Sequence, residues 1–210
     1  MIVTRAERDA ALRRARRLNV FTIGWNALEA AVGVAAGVVA GSVSLVGFGL
    51  DSVIEVSAAV VLAWRLDRER AGGCSKVADR RAQRAIAVCF GLLAGYVSVG
   101  AAHDLVVREH PAVSPAGIAL ALASLVVMPV LARAKRPLAA TLGSRAQASE
   151  ANQTALCAYL SAALLVGLCA NAWLGWWWAD SVAGLAIAGL AAVEAVRTWR
   201  AESLADTCCA

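Results

Sequence analysis

Long apolar runs alternate along the chain with short polar segments. Most charged residues fall in the segments between the runs. A helix needs about 20 apolar residues to cross the hydrocarbon core of a bilayer, and the runs meet that length. The pattern therefore predicts an all-α membrane protein with six transmembrane helices, at about residues 18–40, 42–64, 85–107, 116–132, 149–173 and 176–196.

The segments outside these spans divide the chain into three parts. Residues 1–17 are basic and open with a capping-box pattern, and we expect an amphipathic helix along the cytoplasmic membrane surface. Residues 18–200 form the six-helix transmembrane domain. Residues 201–210 form a short cytoplasmic tail, so we expect no C-terminal cytoplasmic domain.

The distribution of basic residues predicts how the protein lies in the membrane. Of the 20 Lys and Arg residues, 19 fall in segments on one side of the six spans, and only Arg108 falls on the other. Cytoplasmic segments carry the excess of Lys and Arg in membrane proteins. The chain is therefore expected to be a multi-pass protein of the cell membrane with both termini in the cytoplasm.

Composition supports the membrane assignment and argues against other classes. Hydrophobic residues make up 60% of the chain, against about half in soluble domains. The net charge of +5 lies beside the spans, so we expect lipid as a partner and no nucleic acid. The six cysteines show neither a disulfide framework nor a C-x-x-C zinc spacing. Both histidines, His103 and His110, lie at the outer edge without a nucleophile beside them, which argues against an enzyme.

Two carboxylates interrupt the second apolar run. Asp51 and Glu55 are four residues apart, which places them on one helix face, one turn from each other. A charged residue at membrane depth costs about 2.5–3.5 kcal/mol on insertion scales. Two such groups repel each other unless a cation or a proton lies between them. They are either ligands of a cation or protonated carboxyls that hydrogen-bond between helices.

Residues of other spans lie at the same depth as this pair. Glu29, Glu55 and Cys157 are each 10 to 12 residues from a flanking arginine, or about 15–18 Å along a helix. Asp51 and Gln153 lie one turn away, and Gln153 and Cys157 repeat the four-residue spacing. Two facing pairs supply four side chains, which suits a metal ion. The alternatives are that Cys157 packs as a small apolar residue and that Gln153 hydrogen-bonds between helices.

Further polar residues are assigned a proton-coupling or accessory role: Asn26, Glu29, Glu150 and Asp180. Glu29 is expected either to ligate the metal or to carry a coupling proton, or else to form a protonated interhelical hydrogen bond. Glu150 faces water in the alternative interpretation, and Asp180 is then a carboxylate at the start of a helix. The tail thiols Cys208 and Cys209 either capture a soft metal at the cytoplasmic mouth or belong to a disordered tail.

These residues resemble the transmembrane domain of the cation diffusion facilitator family over about residues 12–200. The run Gly41-Ser-Val-Ser-Leu and the later Asp51-Ser-Val-Ile-Glu55 resemble the family's glycine-serine-rich segment and its acidic metal pair. Trp176-Trp177-Trp178-Ala179-Asp180 resembles its aromatic-alanine-aspartate segment. In the fifth span, the family's acidic residue, His and Asp correspond to Glu150, Gln153 and Cys157 in this sequence.

The resemblance implies a homodimer that exports a divalent metal ion against protons. We expect transport by alternating access, without a permanently bound cofactor. The departures are Gln153 and Cys157, because an amide and a thiol form a softer site than imidazole and carboxylate. Zinc, cadmium and cobalt are the expected ions. The alternatives are an exporter of another small cation and a non-transporting membrane partner or sensor derived from a transporter.

Overall fold

The computed structural model describes residues 5–70, 76–142 and 145–200, with side chains for 10–60, 84–141 and 151–200. The helices there are α1 (Arg5–Ala40), α2 (Val43–Arg70), α3 (Lys76–Val107), α4 (Pro115–Leu142), α5 (Arg145–Leu174) and α6 (Trp178–Arg200). Each contains a segment long and apolar enough to cross a membrane, and the described residues contain no strand. The prediction of an all-α protein with six transmembrane helices is confirmed.

The basic N-terminal stretch is part of the first transmembrane helix. The sequence predicts a separate helix over residues 1–17, but α1 continues without a break from Arg5 to Ala40. No Gly or Pro interrupts the stretch before residue 18, and its Ala, Arg and Leu residues favour helix. Ala11 and Ala15 are buried in a small apolar cluster with Leu138 of α4. The start of α1 therefore packs against the end of α4.

The fourth helix extends beyond the predicted span. The sequence predicts that the span ends at Ala132 and that a basic segment follows from Arg133, whereas α4 runs to Leu142. It passes through both Pro129 and Pro137. Neighbouring helices and side chains re-satisfy backbone groups freed by proline in membrane helices, so such residues are tolerated. The first basic residues after Ala132 therefore lie on a helix face, where they can be buried.

Three connections meet at one end of the bundle, here called the turn end: residues 41–42, 108–114 and 175–177. The backbone N–H of Ala112 donates to the carbonyl oxygen of Ala40 at 2.8 Å, which joins the second connection to α1. The side chain of Asn171 on α5 donates to the carbonyl oxygen of Pro111 at 2.9 Å. These bonds fix the ends of α1 and α5 against the same connection. The opposite end, where α1 begins and α6 finishes, is called the basic end.

Two apolar cores lie between the helices. The first joins α2, α4, α5 and one side chain of α6, and its fully buried members include Phe48, Met128 and Leu164. The second joins α3 and α6 through residues such as Phe90 and Val97. α6 contributes to both cores, so it connects the α3–α6 pair to the remaining helices.

Glycines bring α1 and α2 into backbone contact. A Cβ atom on Gly37 would lie 2.7 Å from the backbone nitrogen of Val46, and one on Gly33 would lie 3.0 Å from the Cα of Gly49. Small residues four positions apart allow this close approach of two membrane helices. Gly41 is different: it lies in the turn with a φ of 65°, and nothing approaches its Cβ position within 4 Å. The close contact fixes the axial register of the polar residues on both helices.

We expect Gly37→Ala to destabilise the protein, because the added methyl group forces α1 away from α2. The expected loss is about 1–3 kcal/mol of unfolding free energy. Gly24→Ala is the matched control on the same helix, because no atom of the described residues lies within 4 Å of its Cβ position. Thermal unfolding in detergent, followed by tryptophan fluorescence, measures both variants. Equal melting temperatures for the two would contradict the close contact.

Candidate metal centre

Three side chains from two helices form a buried cluster. Asp51 and Glu55 project from the same face of α2, and Cys157 projects from α5. One ligand atom from each residue lies within 4.8 Å of the other two. Their exposed fractions are 3%, 7% and 0%. Within the described residues, this is the one group of three or more His, Cys, Asp or Glu residues that approach so closely.

The cluster has nearly the dimensions of a metal site. Zinc binds carboxylate oxygen at about 2.0–2.2 Å and cysteine sulfur at about 2.3 Å, so its tetrahedral ligand atoms lie about 3.3–3.8 Å apart. The ligand atoms here lie within 4.8 Å of one another, so the side chains would have to move inward by roughly an ångström to bind an ion at these distances. Two carboxylates and a thiol provide oxygen for hard ions and sulfur for soft or borderline ions. The donor set suits a divalent metal cation.

Asn26 orients one carboxylate of the cluster from α1. Its side chain is 2% exposed, and its Nδ2 donates to Oε2 of Glu55 at 2.7 Å. A hydrogen bond to a charged group is shorter and stronger than one between neutral groups. The sequence interpretation gave Asn26 an accessory role, and the structure places it in direct contact with the cluster.

Glu29 lies beside the cluster but outside the group of three. Its carboxylate is fully buried and accepts hydrogen bonds from the Trp25 indole at 2.6 Å, from the Ser52 hydroxyl at 3.2 Å, and from the Ser124 hydroxyl. These donors belong to α1, α2 and α4. Glu29 therefore joins three helices beside the cluster, and its role as a ligand or proton carrier stays a prediction.

Lys135 is a buried cation that the sequence analysis missed. It is fully buried on α4, its Nζ donates to the Thr154 hydroxyl of α5 at 3.2 Å, and its charge attracts the Glu55 carboxylate. The sequence interpretation placed it in a basic segment after the fourth span. Leu131, Lys135 and Leu138 follow helical spacing, so Lys135 lies on the same face as two buried leucines. This spacing is the sequence pattern that indicates a buried Lys135.

Glu194 of α6 is a second charged residue that the sequence analysis missed. Its side chain is 23% exposed and lies 3.8 Å from the guanidinium of Arg197, one turn along the helix. Its negative charge repels that of Asp51. Glu194 therefore places a carboxylate between the cluster and the basic end of the bundle.

Asp180 belongs to a different polar network, at the turn end. It is 1% exposed and accepts hydrogen bonds from the hydroxyls of Ser42, at 2.6 Å, and Ser44. It lies in the first turn of α6, and both serines lie at the start of α2. Seven residues separate Ser44 from Asp51, or about 10 Å along a helix. The contacts are those of a residue that joins two helix starts.

The remaining predicted site residues are less closely defined. Gln153 is half-buried on α5, one turn before Cys157, and its role as a ligand stays a prediction. The backbone of Glu150 lies in α5, but its side chain is outside the described part of the chain. The tail thiols Cys208 and Cys209 also lie outside the described residues.

Comparison with known families adds a match to the second half of the chain. The profile of the cation efflux transmembrane domain matches residues 82–204, which is more than half of the 210 residues. The matched segment contains Cys157 and Asp180, whereas Asp51 and Glu55 precede it. No curated protein matches the chain significantly.

We expect Asp180→Asn to lower stability without weakening metal binding. Both serine hydroxyls donate to Oδ1 of Asp180, and the backbone N–H of Ser44 donates to Oδ2 at 3.4 Å. The amide keeps one neutral acceptor oxygen and puts an NH₂ group in place of the other, so a buried donor loses its acceptor, at a cost of about 1–3 kcal/mol. Thermal unfolding and metal titration of the purified variant measure the two effects. Asp104→Asn is the control, since its carboxylate at the turn end has one described partner, His103, at 3.4 Å. Wild-type stability together with lost metal binding would place Asp180 in the metal site instead.

Proposed function

The chain belongs to the cation efflux family, a family of metal cation transporters rather than enzymes, and we propose that it exports a divalent cation in exchange for protons. The observation that carries this proposal is the buried cluster of Asp51, Glu55 and Cys157. A site for transported ions must lie inside the bundle and hold ligands for a dehydrated cation. The cluster meets both requirements, and the six helices provide the multi-pass membrane domain.

Metal loading starts from the side of the basic end. Cys157 and the two carboxylates must be deprotonated to bind a metal, so binding releases protons. Two charged carboxylates this close repel each other, and either protons or a divalent cation between them removes that repulsion. The ion thus replaces protons at the same atoms, which is the basis for exchange.

Alternating access completes the cycle. The two cores support this step, because the α3–α6 pair packs around its own core and meets the other helices mainly through α6 and α2. Rocking between these two bodies opens the cluster first to one side and then to the other. On the outer side, protons compete for Asp51, Glu55 and Cys157 and displace the metal. Glu29, which lies next to the cluster, carries a second proton through the cycle.

The basic end faces the cytoplasm in this proposal, since it carries nearly all Lys and Arg residues. A C-terminal reporter that is active only in the cytoplasm tests the orientation, and an inactive reporter contradicts it. We also propose a homodimer, which the resemblance to cation diffusion facilitators supports. Light scattering of the detergent-solubilised protein tests it, and a monomer mass rules it out.

We expect metal uptake into proteoliposomes to depend on both carboxylates of α2. Purified protein in vesicles with an inward-directed metal gradient and an opposing proton gradient should take up zinc. Asp51→Asn and Glu55→Gln each remove one charge from the cluster with little change in shape, so uptake should fall to the level of protein-free vesicles. Asp104→Asn, a carboxylate at the turn end, should transport like the wild type.

The same assay separates the proposed roles. Glu29→Gln should transport, but with a flux that responds more weakly to the proton gradient than the wild-type flux does. An unaltered pH dependence would remove the proton-carrying role of Glu29. Wild-type flux in the Asp51→Asn, Glu55→Gln double variant would show that these two residues do not bind the transported ion. A wild-type protein that binds metal and moves none would favour the alternative of a membrane sensor.

We expect Cys157 to set the preference among metals. A thiolate favours soft and borderline ions, whereas a carboxylate favours hard ones. Cys157→Asp should therefore shift binding from cadmium towards manganese, and Cys157→Ser should weaken cadmium binding most. Competition among zinc, cadmium, cobalt and manganese measures the order. Cys169→Ser is the control on the same helix, outside the cluster. An identical order of metals in all four proteins would make Cys157 a packing residue.

A further inference from the structure

One buried polar atom beside the cluster lacks a hydrogen-bond partner among the described residues. Asn26 is 2% exposed, and no donor in the described part of the chain reaches its buried Oδ1. More than about 90% of buried polar groups are hydrogen-bonded, and an unsatisfied one costs about 1–3 kcal/mol. The nitrogen of the same amide makes a short bond of 2.7 Å to Glu55. The amide is therefore half satisfied, at a position where it already touches a residue of the cluster.

The geometry of the amide places this oxygen within reach of a bound ion. The nitrogen and oxygen of a carboxamide are about 2.3 Å apart, so Oδ1 lies within about 5 Å of the Glu55 oxygen that accepts from Nδ2. That limit is close to the 4.8 Å within which the three cluster residues bring their ligand atoms.

The amide nitrogen of Asn26 can bind the Glu55 carboxyl group when no ion is bound, and the amide oxygen can bind an ion. An amide nitrogen donates and an amide oxygen accepts. In the structure, the nitrogen donates to a carboxyl oxygen of Glu55. Rotation of the amide would bring the oxygen to the same place, where two acceptors 2.7 Å apart repel each other unless a cation lies between them. A cation in the cluster therefore reverses the favoured orientation of Asn26.

We propose that Oδ1 of Asn26 is the fourth ligand of the transported metal ion, together with Asp51, Glu55 and Cys157. This inference rests on the proposed function of the cluster. Structural zinc sites are almost always four-coordinate, and the cluster supplies three ligands. Gln153, the fourth ligand suggested by sequence, is half-buried, whereas Asn26 is buried and bound to a ligand residue.

The assignment has a structural consequence. The ion is then held by α1, α2 and α5 rather than by α2 and α5 alone. The neutral amide adds a ligand without adding negative charge to the two carboxylates and the thiolate. Loading the site therefore links α1 to α5 through the metal, in addition to the existing glycine contacts between α1 and α2.

Cobalt binding to the full-length protein in detergent tests the assignment without transport. Four-coordinate cobalt gives intense visible absorption bands, and a competing zinc titration gives relative affinities. We expect Asn26→Leu to weaken binding by at least about tenfold and to change the bands, since a ligand is lost. Asn26→Asp keeps an oxygen and should recover binding. Gln153→Leu removes the competing candidate ligand on α5 and should bind as the wild type if Asn26 is the fourth ligand. Cys169→Ser, outside the cluster, is the control.

Each contrary result has a separate meaning. Wild-type bands and affinity in Asn26→Leu overturn the assignment, as does a loss of binding in Gln153→Leu alone. A loss in Asn26→Leu that Asn26→Asp does not recover means that Asn26 acts through packing, and this also overturns it. If the wild-type protein binds no cobalt, both the metal cluster and the assignment of Asn26 as its fourth ligand are wrong. A protein that shows the predicted pattern but moves no metal contradicts export and supports the Asn26 assignment.

Discussion

The repulsion between two buried carboxylates governs the centre of this protein. Asp51 and Glu55 stand one helical turn apart, and each costs about 2.5–3.5 kcal/mol to place at membrane depth when charged. The surrounding helices supply the compensating groups. α1 contributes the amide of Asn26, and α4 contributes the buried ammonium of Lys135. These hydrogen-bond donors and the charge of Lys135 partly offset the negative charge of the two carboxylates. A divalent ion bound between the carboxylates offsets it more strongly.

The rest of the bundle holds these groups in register. Backbone contact at Gly33 and Gly37 sets the height of α1 against α2, and this height brings Asn26 level with Glu55. Asp180 fixes the start of α2 to the start of α6 through two serine hydroxyls. Both features lie between the turn end and the cluster. The basic end of α2, beyond Glu55, is the side from which we propose that the ion enters.

Local patterns in the sequence predict the six helices and part of the candidate metal site. Apolar length predicts six spans, and a four-residue spacing predicts that Asp51 and Glu55 share a face, because both depend on neighbours along one helix. Counting residues from the flanking arginines also placed Cys157 at the right depth. It meets the two carboxylates in the structure.

Other features depend on contacts between distant residues. Ser42 and Asp180 are 138 positions apart, so the helix-start interpretation of Asp180 did not reveal its partners. Lys135 follows an apolar run, and a cation in that position normally marks the end of a span. Here α4 continues to Leu142, and its helical path places the Lys135 side chain inside the bundle. The unpartnered oxygen of Asn26 likewise depends on how α1 meets α2. Burial in these cases is decided by packing rather than by the local sequence.

X-ray absorption at the zinc edge of the zinc-loaded protein tests most directly whether Asp51, Glu55 and Cys157 hold one ion. The account predicts one sulfur ligand at about 2.3 Å and the remaining oxygen or nitrogen ligands at about 2.0–2.2 Å. Cys157→Ser should remove the sulfur contribution, and the double variant Asp51→Asn, Glu55→Gln should abolish the site. A zinc ion bound without sulfur, or with sulfur that persists in Cys157→Ser, would contradict the account.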